Sequence, residues 1–545
     1  MGTESYDYVI VGAGSAGCVL AARLSEDSDV SVLLIEAGPA DTKQNIHVPA
    51  AFGTLLKTDI DWDYATLPEE HCNGRMMFVP RGRVLGGTSS INAMVYIRGA
   101  RADYDGWRDL GNAGWGYDDM LPYFKRSEDN ERGASEYHGA GGPLSVSESR
   151  SNNPIADAFV EAAIEAGEPR NDDFNGPGQD GAGRYQVTQR NGMRCSAAVA
   201  FLHPAMERAN LAVLTRALAH RLVFDGTRAV GVAGERDGEP FEAHADREVI
   251  LSGGTYNSPQ LLMLSGIGAA EALTVREIEP LIDLPGVGQN LQEHSQTGAI
   301  FTTEEPVSLL LGMEPQYQLE FAEQGRGPLS SNVAETGGFW RSRDGLDAPD
   351  VQWHCAPVMF VDEGLGDPTA HGISFGGCLL TPRSRGSVSL RSNDPAAKPA
   401  IRHNFYDDPE DVERMIAIER RVMEISRQPA LKRYCQQMFI GPAGDDEASV
   451  RAHITRHTQV LYHPVGTCAM GSGADAVVDS ELRVHGAEGL RVVDASVMPT
   501  VPRGNTNAPT IAIAERAADL IRGAAGGAAA EAPAAAETSA AVPAA

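Results

Sequence analysis

The sequence predicts an α/β fold in two parts: a doubly wound parallel sheet built from discontinuous segments, and an α+β unit with an antiparallel or mixed sheet. Three observations lead there. The chain opens with an apolar strand, Tyr8-Val9-Ile10-Val11, which enters a glycine-rich turn and then, over 16–24, a segment with amphipathic helical spacing. Further strand–turn–helix segments lie at both ends of the chain, and β-rich material such as VQWHCAPVMF from Val351 and SVSLR from Ser387 stands between them.

The opening unit is the most informative. Gly12, Gly14 and Gly17 form G-x-G-x-x-G. Gly12 permits the tight turn, Gly14 lets backbone approach a pyrophosphate, and Gly17 lets helix and strand pack closely. Ala16 then starts a helix whose positive end points at the anion. A second strand over 30–35 ends in Glu36 and Ala37. Glu36 stands near the distance of about 20 residues at which a carboxylate takes a ribose hydroxyl, and it would repel a 2′-phosphate. Glycine-rich turns are common; the complete strand–turn–helix–strand–Glu unit is what favours a Rossmann-like dinucleotide site.

The rest follows in order. Residues 46–83 lack periodicity and read as an extended excursion, with Trp62 and Tyr64 among its aromatics. A surface loop is expected over 127–142, a helix over 155–166, and short strands over 210–232 with a turn at Asp225-Gly226. The buried strand 248–252 enters Gly253-Gly254 and a helix. The stretch 299–402 is strand-like, 411–427 and 447–457 look helical, and strand 490–494 precedes a last helix over 511–521. Residues 524–545 are almost wholly Ala, Gly and Pro and read as a disordered tail. The expected division assigns 1–158, 205–297 and 460–523 to the dinucleotide domain, and 159–204 and 298–459 to a substrate domain.

Composition narrows the partners. The 545 residues, 42% apolar and 22% charged, suit a globular protein. A net charge of -29 repels nucleic acid and anionic lipid, so neither is expected. No apolar run reaches the roughly 18 residues of a membrane span, and the N-terminus lacks a basic n-region, which makes the cytoplasm the expected location. The 7 cysteines are scattered without a C-x-x-C, against a disulfide scaffold or zinc ribbon. His453, His457 and His463 invite a metal reading, but no carboxylate or cysteine completes a set at usable spacing; no metal is expected.

Two glycine-rich stretches, GRVLGGTSSINAM from Gly82 and GTYNSPQLLMLSGIG from Gly254, join the C-terminal pair YHPVGTC from Tyr462 and GNTNAPT from Gly504. At these residues the sequence resembles the glucose–methanol–choline (GMC) family of flavin oxidoreductases, nearest its choline-dehydrogenase-like and hydroxymethylfurfural-oxidase-like members, over residues 6–523. The resemblance implies FAD held by Gly12, Gly14, Ser15, Ala16, Gly17, Glu36 and Ala37. It adds Val84, Gly87 and Thr88 from the first stretch and sets the isoalloxazine near Asn92, Ala93, Met94 and Val95. Ala219 would meet the adenine, Asp494 and Ala495 would contact the cofactor from the last strand, and Asn507 would touch the flavin. Ile91 occupies the position where some members attach FAD through histidine, so non-covalent FAD is implied. The catalytic base falls at His463 and its partner at Asn505.

The chemistry can be reasoned directly. Oxidising an alcohol with a flavin moves a hydride from the carbinol carbon and a proton from the hydroxyl to a base. A histidine near its ordinary pKa of about 6.5 suits that task, and a positioned base gives about 10²–10⁴-fold. Asn505 can bind the substrate oxygen but cannot titrate. The expected reaction is oxidation of a small primary alcohol to the aldehyde, with oxygen or a quinone-type acceptor taking the electrons. Glu335, Trp340, Trp353 and Trp62 either line a pocket for a cation or are core and inter-domain residues. The rival readings are a redox-silent hydroxynitrile-lyase-like enzyme, a non-catalytic flavin-binding protein and a nicotinamide dehydrogenase.

Overall fold

A computed structural model describes residues 4–530 of the chain. Its first sheet grows from the opening unit. Strand Glu4–Val11 pairs in parallel with Val32–Ile35 on one side and with Glu239–Leu251 on the other. Leu211–Leu214 extends the parallel set beyond Val32–Ile35, and Leu490–Val492 joins it beside Glu239–Leu251. Val32–Ile35 is buried throughout, as a strand covered on both faces must be.

Strands Ala217–Asp225 and Arg228–Arg236 add an antiparallel meander to Glu239–Leu251, turning at Gly226 with φ +59°. They are nine residues each rather than short. Most of their side chains are at least partly exposed, with Ala217, Leu222, Ala229 and Val232 among the few buried, so polar residues interrupt the apolar pattern along both strands. Glu239–Leu251 is the hinge of the sheet: its first half closes the meander and its last three residues pair with Leu490–Val492.

Helix Ser15–Leu24 lies against the terminal helix Asn507–Ala530, and Arg23 Nε and Nη2 donate to the buried carboxylate of Glu515 at 2.9 and 2.8 Å. Arg126 pairs with the same carboxylate at 2.7 Å, which makes its burial tolerable. The terminal helix runs to Ala530, seven residues into the segment expected to be disordered. Alanine has the highest helix propensity, so an Ala-rich stretch can prolong a helix already anchored by packing. The remainder of that expected tail, 531–545, lies outside the described residues.

The second sheet is wholly antiparallel, in the order Gln437–Ile440, Ser295–Thr302, Gly372–Leu379, Val351–Ala356, Thr336–Trp340, Gly181–Arg184, with Gln459–Val460 also on Ser295–Thr302. Helices Pro154–Glu165, Pro409–Ser426 and Glu447–His457 share its apolar cluster. Each starts at a capping side chain: Asn153 accepts from Ile155 N–H at 2.9 Å, Asp408 from Glu410 N–H at 2.9 Å and Asp446 from Ser449 N–H at 3.0 Å. The expected divisions at 158/159 and 297/298 fall inside helix Pro154–Glu165 and strand Ser295–Thr302. Both elements pack in this second unit, where Phe159 meets Phe375 edge-on with ring centroids 4.8 Å apart. The excursion over 46–83 is not extended throughout: it holds a 3₁₀ turn, Pro49–Leu55, and a short ladder of Tyr64–Ala65 with Phe78–Val79.

Candidate active site

A cavity of about 1130 Å³ runs from the glycine turn to the face of the second sheet. The glycines divide their tasks by what a side chain would strike. A Cβ on Gly12, whose φ is +103°, would lie 2.4 Å from Ser252 O, and one on Gly17 would lie 1.9 Å from Gly12 O. Gly17 therefore serves helix–strand packing and does not line the cavity. A Cβ on Gly14 would meet protein only at 4.0 Å, so what Gly14 keeps open is the cavity itself. Gly87 stacks directly on it, a Cβ there lying 2.6 Å from Gly14 Cα, and Gly86 N–H donates to Ala13 O at 2.8 Å.

Around this turn the structure gathers the other expected residues. Glu36 is buried and accepts from Ala13 N–H at 3.0 Å and Gly38 N–H at 2.8 Å; burial pushes its pKa up to about 7 against those hydrogen bonds. Asp494 accepts from Gly254 N–H at 2.9 Å, Ser258 Oγ–H at 2.5 Å and Ser496 N–H at 2.8 Å. Ser15 Oγ–H donates to Asn507 Oδ1 at 2.7 Å, which brings the starts of the first and last helices together. Ala16, Ala37, Thr88, Ala93, Val95, Ala219 and Ala495 face the same cavity. Val84 does not: it packs among Ile46, Leu55, Ile60 and Ile91. Ile91 does reach the cavity, and its hydrocarbon side chain offers no atom for a covalent link.

Asn92 is fixed by a residue that the motifs do not mark. Arg194 Nη1 donates to Asn92 O at 2.7 Å and Oδ1 at 2.9 Å, and burial without a carboxylate partner brings its pKa down to about 9. Met94, Val333 and Tyr462, all facing the cavity, hold φ of +55°, +70° and +70°. For a β-branched residue such as Val333 that is a strained conformation, of the kind that collects at functional sites.

At the far end His463 N–H donates to Glu293 Oε1 at 2.8 Å, and its ring meets two partners. His463 Nδ1 lies 3.0 Å from His294 Nδ1, and His463 Nε2 lies 3.0 Å from Asn505 Nδ2. The network assigns the tautomers. His294 Nε2 faces the Leu380 carbonyl at 3.2 Å and must donate to it, which leaves His294 Nδ1 an acceptor. His463 Nδ1–H then donates to His294, and His463 Nε2 keeps a lone pair beside the Asn505 amide. Asn505 is itself held by Gln352, whose Nε2–H donates to Asn505 Oδ1 at 3.1 Å.

His463 does not keep the ordinary histidine pKa expected from sequence. Burial, then the nearby His294, His354 and Arg81, push it well below the usual value. His294 and His354 are likewise held down by burial, to about 3 and about 4. Of the residues read as a possible cation pocket, only Trp62 lines the cavity. Glu335 is buried and accepts from Ser331 Oγ–H at 2.6 Å, and Trp353 is buried against Trp340 with centroids 6.0 Å apart. His453, from the histidine set considered for metal, turns Nε2 to Gly298 O at 3.0 Å.

FAD fits this cradle: an open direction above Gly14, two helix starts beside it, a buried carboxylate at the end of the second strand and room for a planar ring beyond. An FAD-dependent oxidoreductase acting on CH–OH donors is the class that the fold and site define. Comparison with known proteins narrows it. The GMC oxidoreductase models match residues 6–296 and 382–514. An alcohol dehydrogenase (acceptor) of Pseudomonas putida is 43% identical over 95% of this chain and 95% of its own. An oxygen-dependent choline dehydrogenase of Burkholderia multivorans is 45% identical over 96% of this chain and 94% of its own. The crystal structure of pyridoxine 4-oxidase from Mesorbium loti superposes with a TM-score of 0.88 at 33% identity, covering 95% of this chain and 99% of that one. The chain belongs to the GMC oxidoreductase family.

Proposed function

We propose that the protein oxidises a primary alcohol to its aldehyde, with His463 as the general base. FAD, when bound, supplies the acceptor for the carbinol hydride. The chain's own part is the proton. His463 Nε2 carries the ring's basic lone pair, which accepts from Asn505 Nδ2–H until a substrate hydroxyl takes that place. Burial holds the His463 pKa well below the ordinary value, so the ring is neutral at neutral pH. Asn505, orientated by Gln352, offers its N–H at the same point and is suited to orient the substrate hydroxyl. When the hydroxyl proton passes to His463 Nε2, the Nδ1–H···Nδ1 bond to His294 holds the ring in place. The observation that carries the reading is this tautomer lock, which leaves one basic nitrogen facing the cavity.

Oxygen or a quinone-type carrier then receives the electrons; peroxide formation in air, against reduction of a soluble quinone without it, separates the two. Among the described residues no helix is long and apolar enough to cross a membrane. The test is anaerobic mixing of the yellow holoenzyme with primary alcohols. The expected result is flavin bleaching with one aldehyde formed per flavin; aldehyde or ketone release without bleaching would overturn it.

A further inference from the structure

Beyond the His463 relay, two polar side chains on the second sheet face the cavity with hydrogen-bonding capacity unused. Gln296 stands on strand Ser295–Thr302 and His354 on Val351–Ala356; both flank Gly372–Leu379, paired to Cys378 and Gly376 respectively. Gln296 Oε1 and His354 Nδ1 are buried without a hydrogen-bond partner among the described residues. A buried polar atom left unpaired costs about 1–3 kcal/mol, so the pair marks where a ligand's polar group belongs. Gln296 lies two residues along the chain from His294, some 7 Å at about 3.3 Å per residue, and like His463 it lines the cavity.

The same region is poorly suited to a cation. Of the carboxylates that reach the cavity, Glu36 and Asp494 belong to the glycine end, and Asp362, next to Glu363, is exposed to solvent. Asp61 already accepts from the N–H groups of Lys57, Asp63 and Arg81 at 2.8–3.0 Å. Glu363 accepts from Phe78 N–H at 3.1 Å, and burial favours its neutral form. Against these, Arg81 Nη2–H donates to the carbonyl of Tyr462 at 2.8 Å, next to His463. Trp62 and Phe78 each already have a cation over one face, Arg83 at 5.1 Å and Lys57 at 4.4 Å from the ring centroids.

We propose that the chamber selects an uncharged primary alcohol bearing a second hydrogen-bonding group, which Gln296 and His354 bind, and that it discriminates against quaternary-ammonium alcohols. This rests on the reading of His463 as the base. An uncharged second group suits two neutral partners that can each donate or accept. A quaternary ammonium offers neither, and would leave both unpaired in a field set by arginine.

The test compares kcat/KM, read from anaerobic flavin reduction, within two matched pairs: a terminal diol against the alkanol of equal chain length, and choline against its uncharged tert-butyl isostere. The diol should exceed the alkanol, and the isostere should exceed choline, each by about tenfold or more. In Gln296→Leu the diol-to-alkanol ratio should fall toward one; in Gln296→Glu the choline-to-isostere ratio should rise about tenfold. These ratios are internal to each variant, so partial loss of folded protein does not move them. Choline equal to or better than its isostere in the natural protein, or an unmoved diol ratio in Gln296→Leu, overturns the proposal while leaving the base intact. If no alcohol reduces the flavin, both readings fall.

Discussion

His294 and His463 face each other through their Nδ1 atoms at 3.0 Å, an arrangement that admits one proton between the two rings. Because neutral His294 donates its one ring N–H to Leu380 O, the shared proton belongs to His463. His294→Phe removes the acceptor and frees the His463 ring to adopt the other tautomer. The rate of anaerobic flavin reduction should fall about 10–100-fold with flavin content retained, since a wrong tautomer at a base is costly even where geometry survives. An unchanged rate with the bound flavin spectrum intact would show that His294 does not set the tautomer.

Gln352 acts one step further from the reaction. Its amide holds Asn505 Oδ1, so that Asn505 presents N–H rather than C=O to His463 Nε2. Gln352→Leu should lower kcat about tenfold, and Gln352→Glu, which can only accept once ionised, should lower it as much or more. Stopped-flow reduction with a single alcohol distinguishes this from a change in substrate affinity, which should be small.

The pH profile follows from burial. With His463 as the proposed base, turnover requires its neutral form, present above its pKa, and that pKa is pushed well below the ordinary value of about 6.5. The acid limb of the activity should therefore lie below the ordinary histidine value, displaced to lower pH. A limb centred between about pH 6.5 and 7.5 in kcat/KM would contradict the buried, neutral imidazole.

Two glycine variants separate packing from binding. Gly17→Ala drives a Cβ to within 1.9 Å of Gly12 O and should destabilise the apoprotein by about 1–3 kcal/mol or more, read as a lowered Tm without FAD. Gly14→Ala meets protein only at 4.0 Å, so the apoprotein should keep its Tm while FAD titration shows weakened binding. Equal effects of the two variants on the apoprotein would remove the distinction.

The sequence makes the glycine turn, Glu36 and the flanking strands legible because they form one local unit of regular spacing. His463 and Asn505 are legible through the family resemblance of their neighbourhoods. His294, Gln352 and Arg194 are not, because each acts across a fold that sequence spacing does not display: His294 meets His463 at a separation of 169 residues, and Gln352 meets Asn505 at 153. The depressed pKa of His463 is hidden for the same reason, since burial by distant segments sets it. The meander strands and their turn at Asp225-Gly226 are expected from the sequence, but their length is not, because exposed polar residues such as Arg221 and Glu235 break the apolar pattern.

The most direct measurement is the rate of anaerobic flavin bleaching by a primary alcohol in the His463→Ala holoenzyme, taken with the yellow flavin spectrum still present. The account predicts a fall of about 10²–10⁴-fold, partly restored by added imidazole. Bleaching at the natural rate would contradict the claim that this imidazole accepts the substrate's proton.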